Sequence, residues 1–125
     1  MIDKNIKFFK QAKKEALKSN FKWQFGAVIT DKNRIVSRGR NYQDHTKVPF
    51  LFKLKYSMGL HAEIHALIKA NQSVNGLTIF IYGQNKKSQN TLFSKPCKLC
   101  QHFLIEKGVR KVYFATKTGY EYIKL

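Results

Sequence analysis

Two stretches of this sequence carry residue types that bind metals and move protons. "GLHAEIHALIKA" at 59–70 holds His61, Glu63 and His65, and "PCKLC" at 96–100 holds the only two cysteines, Cys97 and Cys100. His61 and His65 have the i, i+4 spacing of the zinc-protease HExxH helix, but Glu63 sits two residues from each instead of beside the first. On a regular helix that turns Glu63 roughly 200° from either histidine. Glu63 and His61 can converge only at a helix N-terminus, where the first residue is not yet held in helical geometry, and Gly59-Leu60 permits that. His65 is expected to pack or bond locally.

The C-x-x-C pair admits three chemistries. A thioredoxin-like redox pair follows an early strand in a different chain order. A disulfide does not suit a protein read as intracellular. Two thiolate ligands for zinc fit best, because the spacing places both sulfurs on one cation and a helix N-terminus favours thiolates. His61, at a second helix N-terminus, completes a His-Cys-Cys set. Three protein ligands leave one tetrahedral position open, the mark of a catalytic zinc as opposed to a structural one.

The elements that must position these groups follow from periodicity. A helix is expected over 4–19, capped by Asp3, with Ile6, Phe9, Ala12 and Ala16 toward the core and Lys7, Lys10, Lys14 and Lys18 on another face. "WQFGAVIT" (23–30) and "RIVSRG" (34–39) read as strands joined by the turn "DKN". A helix over 61–71 ends before Asn75-Gly76. "LTIFIY" (77–82) reads as a buried strand, 97–107 as a helix stopped by Gly108, and "VRKVYFAT" (109–116) as a strand. "KTG" then turns the chain into "YEYIKL", a last antiparallel strand. The order predicts an α/β fold, a mixed sheet of five strands covered by helices.

With 125 residues, 43% of them hydrophobic, the chain (1–125) is read as one globular domain. No apolar run approaches the roughly 20 residues of a membrane span. No h-region and cleavage site mark the N-terminus, so a cytoplasmic, reducing location is expected. Against 24 Lys and Arg stand only 7 Asp and Glu, a formal charge of +17. Such a field attracts polyanions, and the partner expected is nucleic acid.

"HAE" followed by "PCKLC", each opening a helix, resembles the cytidine/deoxycytidylate deaminase superfamily, whose nucleobase deaminases carry H-x-E…P-C-x-x-C. "FGAVITDKNRIVSRGRN" is similar to the family's first hairpin and "GVRKVYFAT" to its fourth strand. The resemblance implies a three-layer α/β/α fold, with His61, Cys97 and Cys100 binding Zn2+ and Glu63 moving the protons. It implies deamination of cytosine to uracil, with Ala62 and the segment Gly26-Ala27 lining the base pocket. Asn41 matches an asparagine that contacts the sugar; it also reads as a turn residue closing its strand. Ser94 either bonds substrate or caps the following helix.

The ending "ATKTGYEYIKL" leaves room only for a tight turn and a strand, as in the free-nucleoside and bacterial-toxin branches of the family. Two segments are expected to rim the pocket. One, 44–60, interleaves Phe50, Phe52 and Tyr56 with Lys47, Lys53 and Lys55: a single-strand groove of stacking rings and phosphate-binding lysines, or an amphipathic element packing its rings inward. The other places Lys86, Lys87 and Lys95 before Pro96. The substrate expected is cytosine in single-stranded DNA or RNA. The alternatives are a free cytidine, deoxycytidine or dCMP deaminase of pyrimidine salvage, and a non-enzymatic zinc-containing module that binds nucleic acid.

Overall fold

In the computed structural model, residues 3–41 and 61–125 are described. Along the chain run α1 (Lys4–Ala16), β1 (Trp23–Asp31), β2 (Arg34–Arg40), α2 (Ala62–Lys69), β3 (Thr78–Asn85), β4 (Thr91–Leu92), α3 (Lys98–Glu106), β5 (Lys111–Thr116) and β6 (Gly119–Lys124). The strands form one mixed sheet in the order β2-β1-β3-β5-β6, with β4 paired to β3. β3 and β5 are parallel, while the hairpins β1–β2 and β5–β6 are antiparallel. This is the expected α/β architecture, with one addition. The two-residue β4, Leu92 against Gly83 and Thr91 against Gln84, was too short to leave a period in the sequence.

Strand alternation divides the core in two. Ala27 and Ile29 of β1, Ile79 and Ile81 of β3, and Val112 and Phe114 of β5 meet Ala62 and Ala66 of α2 and Leu104 of α3. Residues that alternate with them, Val28, Phe80 and Ala115, meet Phe8, Phe9 and Ala12 of α1. Helices therefore cover both faces, α1 on one and the α2–α3 pair on the other.

α1 starts as expected, with the Asp3 side chain accepting from the Asn5 N–H at 2.9 Å. Its buried stripe is Phe8, Phe9, Ala12, Glu15 and Ala16. Ile6, expected in the core, is 42% exposed. The reason is phase: at 100° per residue Ile6 points about 120° away from Ala12. Two glycines set the layer spacing. A Cβ on Gly26 would lie 2.0 Å from the Ala12 carbonyl oxygen of α1, and one on Gly39 would lie 2.4 Å from the Ala66 nitrogen of α2. Both helices press their backbones onto strands at positions where no side chain fits.

Candidate active site

Both metal-binding stretches fold as helix starts. His61 is the N-cap of α2, with φ −73° and ψ 151°, so it stands outside the helix and turns freely toward its partners. Cys97 is the N-cap of α3, its sulfur accepting from the Cys100 N–H at 3.4 Å. Cys100 follows one turn on and is fully buried, whereas Cys97 is exposed. Ser94 does not cap this helix: its hydroxyl donates to the Leu92 carbonyl at 2.8 Å.

His61, Cys97 and Cys100 converge, with their ligand atoms all within 4.8 Å of one another. His61 Nδ1 lies 3.3 Å from Cys100 Sγ. Around a tetrahedral ion with bonds of about 2.0–2.3 Å, donor atoms stand about 3.5–4 Å apart. One nitrogen and two soft sulfurs are a zinc-type donor set, and the cluster is consistent with Zn2+. Two helix N-termini open at it, and their dipoles favour thiolate over thiol.

Glu63 lies in the first turn of α2 and is 6% exposed. Burial pushes its carboxyl above the ordinary range, while the His61 charge pulls it back down. A buried carboxyl beside a metal-type cluster, its pKa raised by burial, is suited to taking and giving protons.

His65 does not join the cluster. Its Nδ1 accepts from the Arg40 N–H at 2.9 Å, a bond across elements that ties α2 to the outer strand β2, where a local partner was expected. Burial, with Lys69 and Arg40 nearby, lowers its pKa to about 4, so the ring is neutral and keeps its acceptor.

Ala62 and Ala27 are fully buried together on the α2 face. Gly26, expected beside Ala27 in the pocket, turns its Cβ position to α1 on the opposite face, because adjacent strand residues alternate. Asn41 extends β2: its Oδ1 accepts from the Phe25 N–H and its Nδ2 donates to the Trp23 carbonyl, each at 2.8 Å. Lys86, Lys87 and Lys95 are exposed, the first two in the turn after β3. Lys47, Phe50, Phe52, Lys53, Lys55 and Tyr56 lie outside the described residues.

Two features at the start of β1 escaped sequence reasoning. The Phe25 ring lies over Gly83, where a Cβ would meet it at 2.3 Å. Trp23, next to Lys22 with Nζ 5.8 Å from its ring, is 57% exposed at the strand end that Asn41 holds. Alternation placed Trp23 in a strand but not its exposure, which depends on where the neighbouring elements stop.

Residues 2–116 match the family described as the cytidine and deoxycytidylate deaminase zinc-binding region. A protein named as an uncharacterized deaminase in the luxG 3′ region of Aliivibrio fischeri is 35% identical over 99 residues, which are 76% of this chain and 60% of that protein. The chain thus spans less than two thirds of the length of that relative. The dCMP deaminase of cyanophage S-TIM5 in its apo form superimposes with a TM-score of 0.68 at 24% identity, covering 94% of this chain and 87% of that one. Cytidine deaminase from Burkholderia pseudomallei gives 0.66 at 17% identity, covering 95% and 91%. At those identities the two structures speak for the fold.

Proposed function

The chain belongs to the cytidine and deoxycytidylate deaminase family, and from that premise we propose that it is a zinc-dependent hydrolase converting cytosine to uracil in single-stranded DNA or RNA. The observation that carries the chemistry is the convergence of His61, Cys97 and Cys100 beside the buried carboxyl of Glu63. Zinc held by those three residues would supply the Lewis acidity that makes water a nucleophile near neutral pH. Glu63 takes the proton of that water as it adds to C4 of the base. It passes that proton to the ring nitrogen, then carries the proton of the new C4 hydroxyl to the amino group, which leaves as ammonia as the C4–N bond breaks and the C4 carbonyl forms. A non-catalytic zinc module has no use for such a carboxylate.

Ala62 and Ala27 wall the base, while Gly26 contributes backbone alone. Asn41 gives one N–H to Trp23; its second is free in principle to reach the sugar. The Ser94 hydroxyl, while donating to Leu92, can still accept from substrate. The charge of +17 supports a polymeric substrate. Lys86, Lys87 and Lys95, with Lys47, Phe50, Phe52, Lys53, Lys55 and Tyr56, are its proposed contacts. A free nucleotide is the second reading, favoured by the likeness to the cyanophage enzyme in complex with dCMP and dUMP (TM-score 0.66).

Product analysis with dCMP, cytidine and single-stranded oligonucleotides side by side separates the readings. Uracil in the oligonucleotide is the expected result. Rapid turnover of dCMP or cytidine, with oligonucleotides inert at low salt, selects the second reading. Binding of oligonucleotide without turnover of anything selects the non-enzymatic module.

A further inference from the structure

The sheet face opposite the His61 cluster carries a row of rings. Phe80 of β3, Tyr113 of β5 and Tyr122 of β6 are cross-strand neighbours in register. Phe80 and Tyr113 stack with centroids 4.9 Å apart and planes 7° apart, and Tyr113 and Tyr122 follow at 5.3 Å. Phe80 is buried under α1, whereas Tyr122, last in the row, is 53% exposed. Two residues along each strand, on the same face, Lys111 and Lys124 stand directly opposite one another. Lys7 of α1 borders the row: its Nζ lies 5.0 Å over the Phe8 ring, which lies 5.0 Å from Phe80. Lys4 precedes Phe8 by one helical turn.

This arrangement works against the stability of the free chain. Like charges directly opposite in an antiparallel pair repel. So do like charges at helical i, i+3 and i, i+4, which α1 repeats at Lys4–Lys7, Lys7–Lys10 and Lys10–Lys14. Among the described residues no carboxylate shares the Lys–Tyr positions of β5 and β6. Glu121 falls on the other face, opposite Phe114, and Asp3 is bonded by the Tyr120 hydroxyl. Asp3 is thus a carboxylate held on this face, set against Lys4, Lys7, Lys111 and Lys124, and the excess of positive charge around an exposed ring matches a polyanion that also presents flat bases.

We infer that the Tyr113–Tyr122 face, with Lys111, Lys124 and Lys7, is a docking surface for single-stranded nucleic acid, separate from the deamination site. A base extends the ring row on Tyr122 and the lysines take the flanking phosphates. The surface lies across the sheet from the cluster, so it acts whichever base or nucleotide enters the site.

Fluorescence anisotropy of the full chain with an all-thymine single-stranded oligonucleotide tests it. Such a strand offers no cytosine, so the outcome is independent of the deaminase reading, which dCMP and oligonucleotide turnover assess separately. Tyr122→Ala should weaken binding about 5- to 150-fold, while Tyr122→Phe, which keeps the ring, should bind as the parent does. Lys111→Glu with Lys124→Glu should reduce the magnitude of the log–log salt slope by about 1.4, at about 0.7 per phosphate. Should those variants not fold, photo-crosslinking of the parent to a thiothymidine strand should label Tyr113 or Tyr122. Parent-like binding by Tyr122→Ala, or crosslinks confined to other segments, overturns the inference. So does a shift from dimer to monomer in sedimentation, without loss of oligonucleotide binding, which would assign the face to a second copy of the chain.

Discussion

The two faces of the sheet are built from the same alternating strands and finish differently. On the α2–α3 face, small residues let the helices sit close: Ala62 and Ala66 press on Gly39, and Ala27 lies beneath. That closeness brings two helix N-termini to one point and buries Glu63 beside His61, Cys97 and Cys100. On the α1 face Ala12 and Ala16 press on Gly26 in the same way, but large rings fill the rest, Phe8 and Phe9 against Phe80, and beyond the helix the rings run out to solvent at Tyr122. A site for chemistry needs fixed geometry and exclusion of water, which small residues supply by letting backbones approach. A surface for a long flexible ligand needs accessible rings and charge, which a partly covered sheet supplies.

The comparison breaks most sharply at the cluster. Cys100→Ala should lose the metal and deamination together, and metal analysis of the purified variant checks it. Zinc retained at full occupancy would remove Cys100 from the ligand set. Glu63→Gln comes next. It should keep zinc and melting temperature while slowing turnover about 10²–10⁴-fold; turnover near the parent's would take the proton-transfer role from Glu63.

The paired glycines sharpen the contrast between layers. Gly26→Ala and Gly39→Ala each force a helix off the sheet, and each should cost about 1–3 kcal/mol by denaturant melts. Only Gly39→Ala displaces α2, so only that variant should also weaken zinc retention against a chelator. Equal chelator sensitivity in the two would mean that the layers are not independent.

The last effect is one of pH. His65 has a folded pKa of about 4, below its unfolded value of about 6.5. The unfolded chain takes up the proton first, so this stability is full above about pH 6.5 and is lost as pH falls toward 4. The slope is at most about 1.4 kcal/mol per pH unit. His65→Asn, which keeps an acceptor for the Arg40 N–H, should flatten stability over that window, as read from denaturant melts at stepped pH. An unchanged slope would mean that the ring is solvated.

The sequence by itself determined most of the elements and the candidate donor residues. Asp3 as a helix cap, the β1–β2 and β5–β6 hairpins, and the helix starts at His61 and Cys97 were all legible, because capping, alternation and turn residues act within a few positions along the chain. The candidate donor cluster was legible because donor types are rare in this chain, which has two cysteines and four histidines. Tertiary structure decided what depends on distant neighbours. It turned Ile6 outward and Gly26 toward α1, since helix phase and strand face are fixed only by what packs opposite. It gave His65 to Arg40 across two elements and left Ser94 bonded to Leu92 instead of capping α3. It also lined up Phe80, Tyr113 and Tyr122 from three strands scattered along the sequence, a register that no local period encodes.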